Sequence, residues 1–325
     1  MTNPGLVEVK RGSNVESIHR GAICVCDADG KIVVSFGDVE APVFPRSAIK
    51  AIQALPLIES GTADAFGFGD KELSLACASH SGEDRHIALA RDMLARAGLE
   101  ETCLECGGHW SSQGWVMRHQ ATIYDDTPPA ICNNCSGKHI GFVCTAAHRD
   151  IDPVGYIKRD HPIQQAINEA LQDITGAQHD EDICGADGCS IPTYAIPLFA
   201  MAHGFARIVT GKGLRTERAR ASSRLLMACM AEPFYMAGTG RFCTKLMELG
   251  DMRLFAKTGA EGVFCGAIPE LGLGIALKCD DGAVRASEAM MAAILARLLP
   301  KDDPLQKGLE LFANPPITNW NGWTV

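Results

Sequence analysis

Short apolar runs separated by turn residues fill both ends of the chain and predict β-strands there. Near the start, the runs GAICVC (21–26) and IVVSFG (32–37) flank the turn DADGK and predict a hairpin. Near the end, residues 253–287 alternate short apolar runs with glycines and a DDG turn, which again favours strands. Because helical patterns lie between these two regions, we predict one sheet that is built from both termini.

The middle of the chain has the spacing of helices. Residues 44–61 start with apolar positions on one face, although Pro56 lies inside the pattern and should kink or end the helix. Residues 82–100 carry acidic side chains first, basic ones later and Gly98 near the end, which is the charge order of a helix. Further helices are predicted near residues 138–148, 160–174, 193–205 and 214–231, with a closing helix at 288–299.

Residues 103–137 break this pattern. They are rich in glycine, cysteine, proline and polar side chains, so we predict a loop, which is where functional sites tend to lie. The chain has no internal repeat, low-complexity tract or linker. We therefore expect a single domain over residues 1–325, with the sheet from roughly 1–45 and 250–299 and a helical subdomain from the middle of the chain.

Composition narrows the possible partners and location. The hydrophobic fraction of 46% and the charged fraction of 21% are those of an ordinary soluble globular protein. A net charge of -9 argues against binding to nucleic acid or to anionic membranes. The first residues lack the apolar core of a secretory signal, and no run approaches the roughly 18 apolar residues of a membrane span. We expect a cytoplasmic protein.

The chain contains 14 cysteines, which is a high number for such a protein. In a cytoplasmic protein of this length, a framework of disulfides is disfavoured. Several of the cysteines, such as Cys24, Cys26, Cys77 and Cys265, lie in apolar runs, where a free thiol packs as a small hydrophobe, and we expect more than half of the 14 to be packing residues. The cysteines left for chemistry lie in three short motifs: Cys103 and Cys106, Cys132 and Cys135, and Cys184 and Cys189.

Two spaced motifs suggest a serine nucleophile with a lysine base. Ser47 and Lys50 stand three residues apart at a predicted helix start, so both side chains share one face. A serine hydroxyl needs an adjacent base, and a lysine can serve if burial or a nearby cation lowers its pKa. By itself, this spacing is more often a helix cap followed by a solvated lysine. Lys257 begins a late K-T-G, and this order of motifs is typical of serine β-lactamases and penicillin-binding proteins.

Two further features leave alternatives open. The pattern of those enzymes also needs a middle polar residue, and Ser79 or Ser81, after an apolar strand-like run, could supply it. The octapeptide CNNCSGKH (132–139) could belong to a zinc site of either of two kinds. One is a ribbon of Cys103, Cys106, Cys132 and Cys135, and the other joins Cys135 and Lys138 to Cys189. Spacing alone favours the ribbon, although its 25-residue spacer is long.

Five segments together resemble the class 3, rhizobial-type L-asparaginases of the asparaginase II family. These segments are FPRSAIKAIQALPLIESG, CASHSGE, CNNCSGKHIGF, GADGCSIP and AKTGAEGVF, and the resemblance covers essentially the whole chain. It implies an α/β fold similar to that of serine β-lactamases and glutaminases, with an antiparallel sheet flanked by helices. It also implies a homodimer.

The resemblance assigns roles to particular residues. Ser47 is then the nucleophile paired with Lys50, and Ser79 forms a second pair with Lys257. One Zn²⁺ per chain is held by three residues and a water molecule, and other residues contact substrate. The implied zinc ligands are Cys135, Lys138 and Cys189, and the implied substrate-binding residues are Asp187, Lys138 and His139. Cys103 and Cys106 receive no role.

The resulting expectation is an amidohydrolase that splits L-asparagine into L-aspartate and ammonia, with the zinc orienting the substrate. The first alternative is a glutaminase or a β-lactam-type acyl hydrolase that uses the same Ser-Lys groups. The K-T-G motif keeps this alternative open, whereas a thiolate metal site argues against it. The second alternative is a non-catalytic zinc-ribbon binding module.

Overall fold

The structure is a computed structural model that describes residues 2–325. Its main sheet contains six strands, three from each end of the chain: β1 Gly5–Arg11, β2 Asn14–Cys26, β3 Ile32–Phe36, β8 Phe255–Thr258, β9 Val263–Ile268 and β10 Leu273–Cys279. Four short strands form two small ribbons: β4 Pro42–Val43, β5 Cys184–Ala186, β6 Pro192–Tyr194 and β7 Ile196–Pro197.

The main sheet is antiparallel, with the order β1-β2-β10-β9-β8, and β3 also pairs with β2. The long strand β2 pairs with β1 through its first half and with β10 through its second half. The strands from the N-terminal part of the chain therefore meet those from the C-terminal part where β2 pairs with β10. The predicted sheet from both termini is therefore confirmed, and so is the hairpin, in which Cys26 pairs with Ile32.

The helices are α1 Lys50–Gln53, α2 Leu55–Glu59, α3 Thr62–Ala65, α4 Asp70–Ala76, α5 Asp84–Arg96, α6 Gly114–Gln120, α7 Ser136–His148, α8 Pro162–Thr175, α9 Leu198–Thr210, α10 Thr216–Ala231, α11 Pro233–Met236, α12 Phe242–Gly250, α13 Val284–Leu298 and α14 Gln306–Ala313. Within residues 2–325, none of them combines the length and apolarity needed to cross a membrane.

Helices α9 and α13 cover opposite faces of the sheet. A Cβ atom on Gly274 would lie 2.1 Å from the carbonyl oxygen of Ala202 in α9, so the missing side chain lets α9 approach closely. The neighbouring Ile275 pairs with Gly266, whose Cβ position faces Met291 of α13. Because adjacent strand residues point to opposite faces, the two helices enclose the sheet between them.

Several helix predictions need correction. The apolar run before Ser79 is the end of helix α4 and not a strand, because Glu72 accepts a hydrogen bond from Gly69 and starts a helix there. The region 103–137 contains helix α6, which buries only Val116 and Gln120 and therefore has little apolar periodicity. The helix expected from residue 193 begins at Leu198, after Pro197. The break expected near Pro56 is confirmed, since α1 and α2 separate at Ala54.

Gly137 determines how closely α7 can pack on α4. A Cβ atom at this position would lie 2.1 Å from the carbonyl oxygen of Leu75, so we expect Gly137→Ala to force the helices apart. Overpacking of this kind typically costs about 1–3 kcal/mol, which urea unfolding would measure. In the matched control Gly141→Ala, the new Cβ would meet Leu57 at an ordinary 3.5 Å, so stability should stay equal or rise. Equal stability losses in the two variants would contradict this account.

Candidate active site

Ser47 lines a cavity and follows a residue with a strained backbone. It lies in a short 3₁₀ turn, Arg46–Ile49, which leads directly into α1. Arg46 has a φ of 51°, a left-handed conformation that is unfavourable for a residue with a side chain. The Arg46 Nε donates to Asp187 Oδ1 at 2.6 Å, which anchors the turn. Ser47 itself is half-buried and lines the cavity.

Lys50 is fully buried, and its side-chain nitrogen makes three contacts. Its Nζ donates to the Ala78 carbonyl oxygen at 2.6 Å, to Ser79 Oγ at 2.9 Å and to Cys135 Sγ at 3.0 Å. Within residues 2–325, the Ser47 hydroxyl has no side-chain hydrogen bond to Lys50. Lys50 is therefore hydrogen-bonded to Ser79 in the structure, although the spacing of the sequence motif pairs it with Ser47.

Lys257 approaches the same hydroxyl from the sheet. Its Nζ donates to Ser79 Oγ at 2.9 Å and to the Thr258 carbonyl oxygen at 3.0 Å. The side chain is fully buried on β8, and burial together with the charge of Lys50 lowers the pKa of Lys257 to about 7. A lysine with this pKa exchanges a proton readily near neutral pH.

The structure also separates the two serines that followed the strand-like run. Ser79 lines the cavity, and its backbone N–H is fixed to the Met236 carbonyl oxygen at 2.9 Å. The Ser81 hydroxyl instead donates to Glu83 and to the Ala237 carbonyl oxygen. Ser81 therefore contributes to the packing of its loop, and Ser79 is the serine that lines the cavity and contacts the two lysines.

Two thiols and a lysine converge behind this Ser-Lys cluster. Cys135 precedes α7, Lys138 lies in its first turn, and Cys189 comes from the loop after β5; all three are buried. Lys138 Nζ donates to Cys189 Sγ at 3.1 Å, and Lys50 Nζ donates to Cys135 Sγ at 3.0 Å. The neighbouring Cys189 thiol, with the charges of Lys50 and Lys138, lowers the pKa of Cys135 well below its usual value despite burial.

This donor set fits zinc. Two thiol sulfurs and an amine nitrogen are ligand types that zinc accepts in a buried site, and the depressed pKa of Cys135 favours its thiolate. The pKa of Cys189 is raised by its neighbour Cys135 and by burial, so zinc would have to displace the proton of that thiol. Burial lowers the pKa of Lys138, but the charges of Cys189, Cys135 and Asp187 raise it overall. Lysine ligation therefore requires the charge of the metal to displace that proton.

Asp187 and His139 lie beside these donors. The Asp187 carboxylate accepts from Arg46 and from the Gly188 N–H at 2.8 Å, and its Oδ2 lies 3.6 Å from Cys189 Sγ. Burial alone would raise the pKa of Asp187, yet Lys138 and Arg46 hold it below the usual value. His139 is fully buried with Nδ1 2.6 Å from the Tyr156 hydroxyl, while its Nε2 has no partner within residues 2–325.

The cavity itself has a volume of about 620 Å³ and lies on the Ser47 and Ser79 side of the cluster. Asp187, Lys138 and His139 do not line it within the described part of the chain. Its charged wall of Arg241, Lys245, Arg285 and Glu288 could not be predicted from the sequence, because residues at α12 and α13 line one cavity only in the folded chain.

The four cysteines of the alternative ribbon do not come together. Cys106 Sγ contacts the Ala130 carbonyl oxygen, and Cys132 Sγ contacts the Tyr124 hydroxyl, whereas Cys135 contacts Lys50. In residues 2–325, no group of three or more histidine, cysteine, aspartate or glutamate side chains close enough to share a metal ion includes these cysteines. The geometry therefore gives no support to a zinc ribbon.

The family model of L-asparaginase II matches residues 7–325. No curated protein matches the chain significantly.

Among solved structures, the chain is similar to a β-lactamase from Mycobacterium bovis, with 13% identity, a TM-score of 0.41, and coverage of 85% of this chain and 94% of that one. It is also similar to a mutant simvastatin synthase from Aspergillus terreus, with 13% identity, a TM-score of 0.43, and coverage of 90% and 88%. A putative β-lactamase from Bacteroides dorei shows 12% identity, a TM-score of 0.40, and coverage of 80% and 84%.

Proposed function

The chain belongs to the L-asparaginase II family and is an amidohydrolase of the L-asparaginase type, and we propose that it works through an acyl-enzyme on Ser47. The observation that supports this mechanism is that two serines line one cavity and that one of them contacts two buried lysines. Ser79 Oγ lies 2.9 Å from the Nζ atoms of both Lys50 and Lys257, and Ser47 lines the same cavity.

In this mechanism, Ser47 Oγ attacks the side-chain carboxamide carbon of L-asparagine, and Lys50 accepts the hydroxyl proton. As it does so, Lys50 passes a proton by way of Ser79 Oγ to the neutral amine of Lys257, and the carbon–nitrogen bond breaks as Lys257 returns that proton through Ser79 to the departing ammonia. Water hydrolyses the remaining ester and releases L-aspartate. The Ser47–Lys50 contact forms in the substrate complex, since catalytic hydrogen bonds often align only there.

Two backbone amides are placed to stabilise the oxyanion. Ser47 and Ala260 both line the cavity, and neither of their N–H groups donates to another group of residues 2–325. Gly259 brings them together, because its Cβ position lies 2.8 Å from the Pro45 carbonyl oxygen and leaves no room for a side chain. Paired N–H donors of this kind stabilise the negative charge that develops on the amide oxygen.

We further propose that Cys135, Lys138 and Cys189 hold one zinc ion whose fourth ligand is water. Bound there, the zinc would supply a Lewis-acidic contact for the α-amino and α-carboxylate end of the substrate. Asp187, held by Arg46, contributes a fixed negative charge beside that end. The neighbouring His139 has a pKa well below its usual value, because of burial and the charges of Lys138 and Lys50, so it stays neutral.

A comparison of three substrates tests the proposed activity. Ammonia release should be fast with L-asparagine and slower with L-glutamine, and a β-lactam should not be hydrolysed. The β-lactam is included as a substrate because the K-T-G motif is typical of enzymes that react with β-lactams. Faster turnover of glutamine, or hydrolysis of the β-lactam without hydrolysis of asparagine, would overturn the proposal in favour of another Ser-Lys acyl hydrolase.

The pH dependence follows from Lys257. Its pKa of about 7 means that the neutral amine, which can accept and pass on a proton, predominates only above neutrality. We expect kcat for L-asparagine to rise by up to about tenfold per pH unit below pH 7 and to level off above it. A flat profile from pH 6 to pH 10 would argue against Lys257 as the proton relay, and Lys257→Met should abolish the rise near pH 7.

The assembly and the location of the enzyme are also proposals. The family resemblance supports a homodimer, and light scattering of the purified protein should give twice the mass of one chain. We propose a cytoplasmic location because the composition is that of an ordinary globular protein and because the cysteines are free thiols, which are typical of a reducing compartment.

A further inference from the structure

A second cluster of metal-binding groups lies at the end of the sheet. His19 of β2, Cys279 at the end of β10 and Asp281 in the following turn place one ligand atom each within 4.8 Å of one another. Asp281 joins the other two, with Oδ2 2.6 Å from His19 Nδ1 and Oδ1 3.0 Å from Cys279 Sγ. His19 and Cys279 are buried, whereas Asp281 is exposed.

We propose that His19, Cys279 and Asp281 form a second site for a divalent transition-metal ion, and that zinc is its physiological occupant. Imidazole, thiolate and carboxylate are all zinc ligands, and the thiolate and carboxylate together offset the charge of the ion. His19 Nδ1 and Cys279 Sγ each share a proton with the Asp281 carboxylate, and a metal bound between the three groups would take the place of these two protons. The exposed carboxylate provides the entry path, and water completes the coordination.

The surrounding residues support the ligand geometry. The Ala283 N–H donates to Asp281 Oδ1 at 3.0 Å, which orients the carboxylate toward the other two groups. Cys279 pairs with Gly21 in the sheet, and Ala283 immediately precedes α13. A metal here would tie two sheet strands to the start of this helix. Its binding should therefore stabilise the fold, as any ligand of the folded state does.

Arg285 modulates this site and links it to the catalytic cavity. Its Nε donates to His19 Nε2 at 3.1 Å, so the ring proton resides on Nδ1 and points at Asp281. A metal on Nδ1 would leave the proton on Nε2, where it opposes the Arg285 donor. Arg285, which also lines the cavity beside Ser47, must then give up this hydrogen bond. Arg285→Met should consequently bind the metal more tightly, by about fivefold, which corresponds to one ordinary hydrogen bond.

Cobalt titration distinguishes this site from the one next to the active site. The titration uses a Cys189→Ala background, which removes one of the proposed active-site ligands and isolates the new site. We expect one Co²⁺ per chain with a thiolate charge-transfer band, which is lost when Cys279→Ala is added. The matched control Cys265→Ala removes a thiol that is also buried in the sheet, and should leave the band intact.

Asp281→Asn, an exposed change that should not unfold the protein, provides a second variant and should weaken binding at least about tenfold. Zinc should compete with cobalt and raise the thermal midpoint of the background variant, but not of the Cys279→Ala double variant. A cobalt band that survives both Cys279→Ala and Asp281→Asn would overturn the proposal. The absence of any cobalt binding in a folded background variant would overturn it as well, and would identify the cluster as a hydrogen-bonded turn alone.

Discussion

Replacing Ser47 by alanine should abolish the turnover of L-asparagine. No other group in the proposed mechanism can form the acyl-enzyme, and the loss of a serine nucleophile typically costs roughly 10⁴- to 10⁶-fold in kcat. The variant should keep its fold, because Ser47 makes no side-chain hydrogen bond within residues 2–325 and is only half-buried. Steady-state ammonia release and circular dichroism would measure the two effects.

The chain provides a matched control for this change. Ser112 lines the same cavity and is exposed, yet it has no part in the mechanism, so Ser112→Ala should retain most activity. Ser79→Ala should lose activity as well, because Ser79 connects Lys50 with Lys257. If Ser47→Ala kept the wild-type kcat while Ser79→Ala lost it, the roles of the two serines would be exchanged.

The second large effect is expected at Cys189. Its thiol contacts Lys138 and Asp187, so Cys189→Ala should remove a metal ligand and raise KM for L-asparagine at least about tenfold. If the metal only positions the α-substituents, kcat should fall less than kcat/KM, which is the pattern of lost uniform binding. Chelation should reproduce the effect in the wild type, and added zinc should restore affinity. Acidification should also release the metal, because thiolates must stay deprotonated to bind it.

Cys184 serves as the control for Cys189. It lies in the same segment, and its Sγ contacts the Gly185 carbonyl oxygen at 3.7 Å rather than Lys138, so Cys184→Ala should leave both KM and zinc content unchanged. If the Cys189 variant bound asparagine normally and failed only in kcat, the metal would belong to the chemical step. The proposed role in orienting the substrate would then be wrong.

The sheet was predictable from the sequence because its strands carry a local signal. Apolar runs bounded by turn residues mark β2, β3, β9 and β10 without reference to the rest of the chain. Helix α4 was misread as a strand, because six of the seven residues from Leu73 to Ser79 have under 2% exposure and a fully buried run has no helical periodicity. Helix α6 was missed for the opposite reason, since it buries too little to show a stripe.

The site was predictable in its residues but not in its contacts. The spacing of Ser47 and Lys50 placed them on one helical face, yet Ser47 lies in a 3₁₀ turn and Lys50 reaches Ser79. The Lys257 contact with Ser79 joins residues 178 positions apart, and the Lys138 contact with Cys189 depends on the course of a loop. Such distances depend on tertiary packing, which residue spacing does not encode.

The central claim is that the acyl group is carried by Ser47, and acid quenching of the enzyme during turnover of L-asparagine tests it most directly. Ser47 and Ser79 fall on different peptides after digestion, so mass spectrometry can assign a β-aspartyl ester to one of them. We predict an ester on the Ser47 peptide that disappears in Ser47→Ala. An ester on the Ser79 peptide, with Ser47 unmodified, would contradict the account.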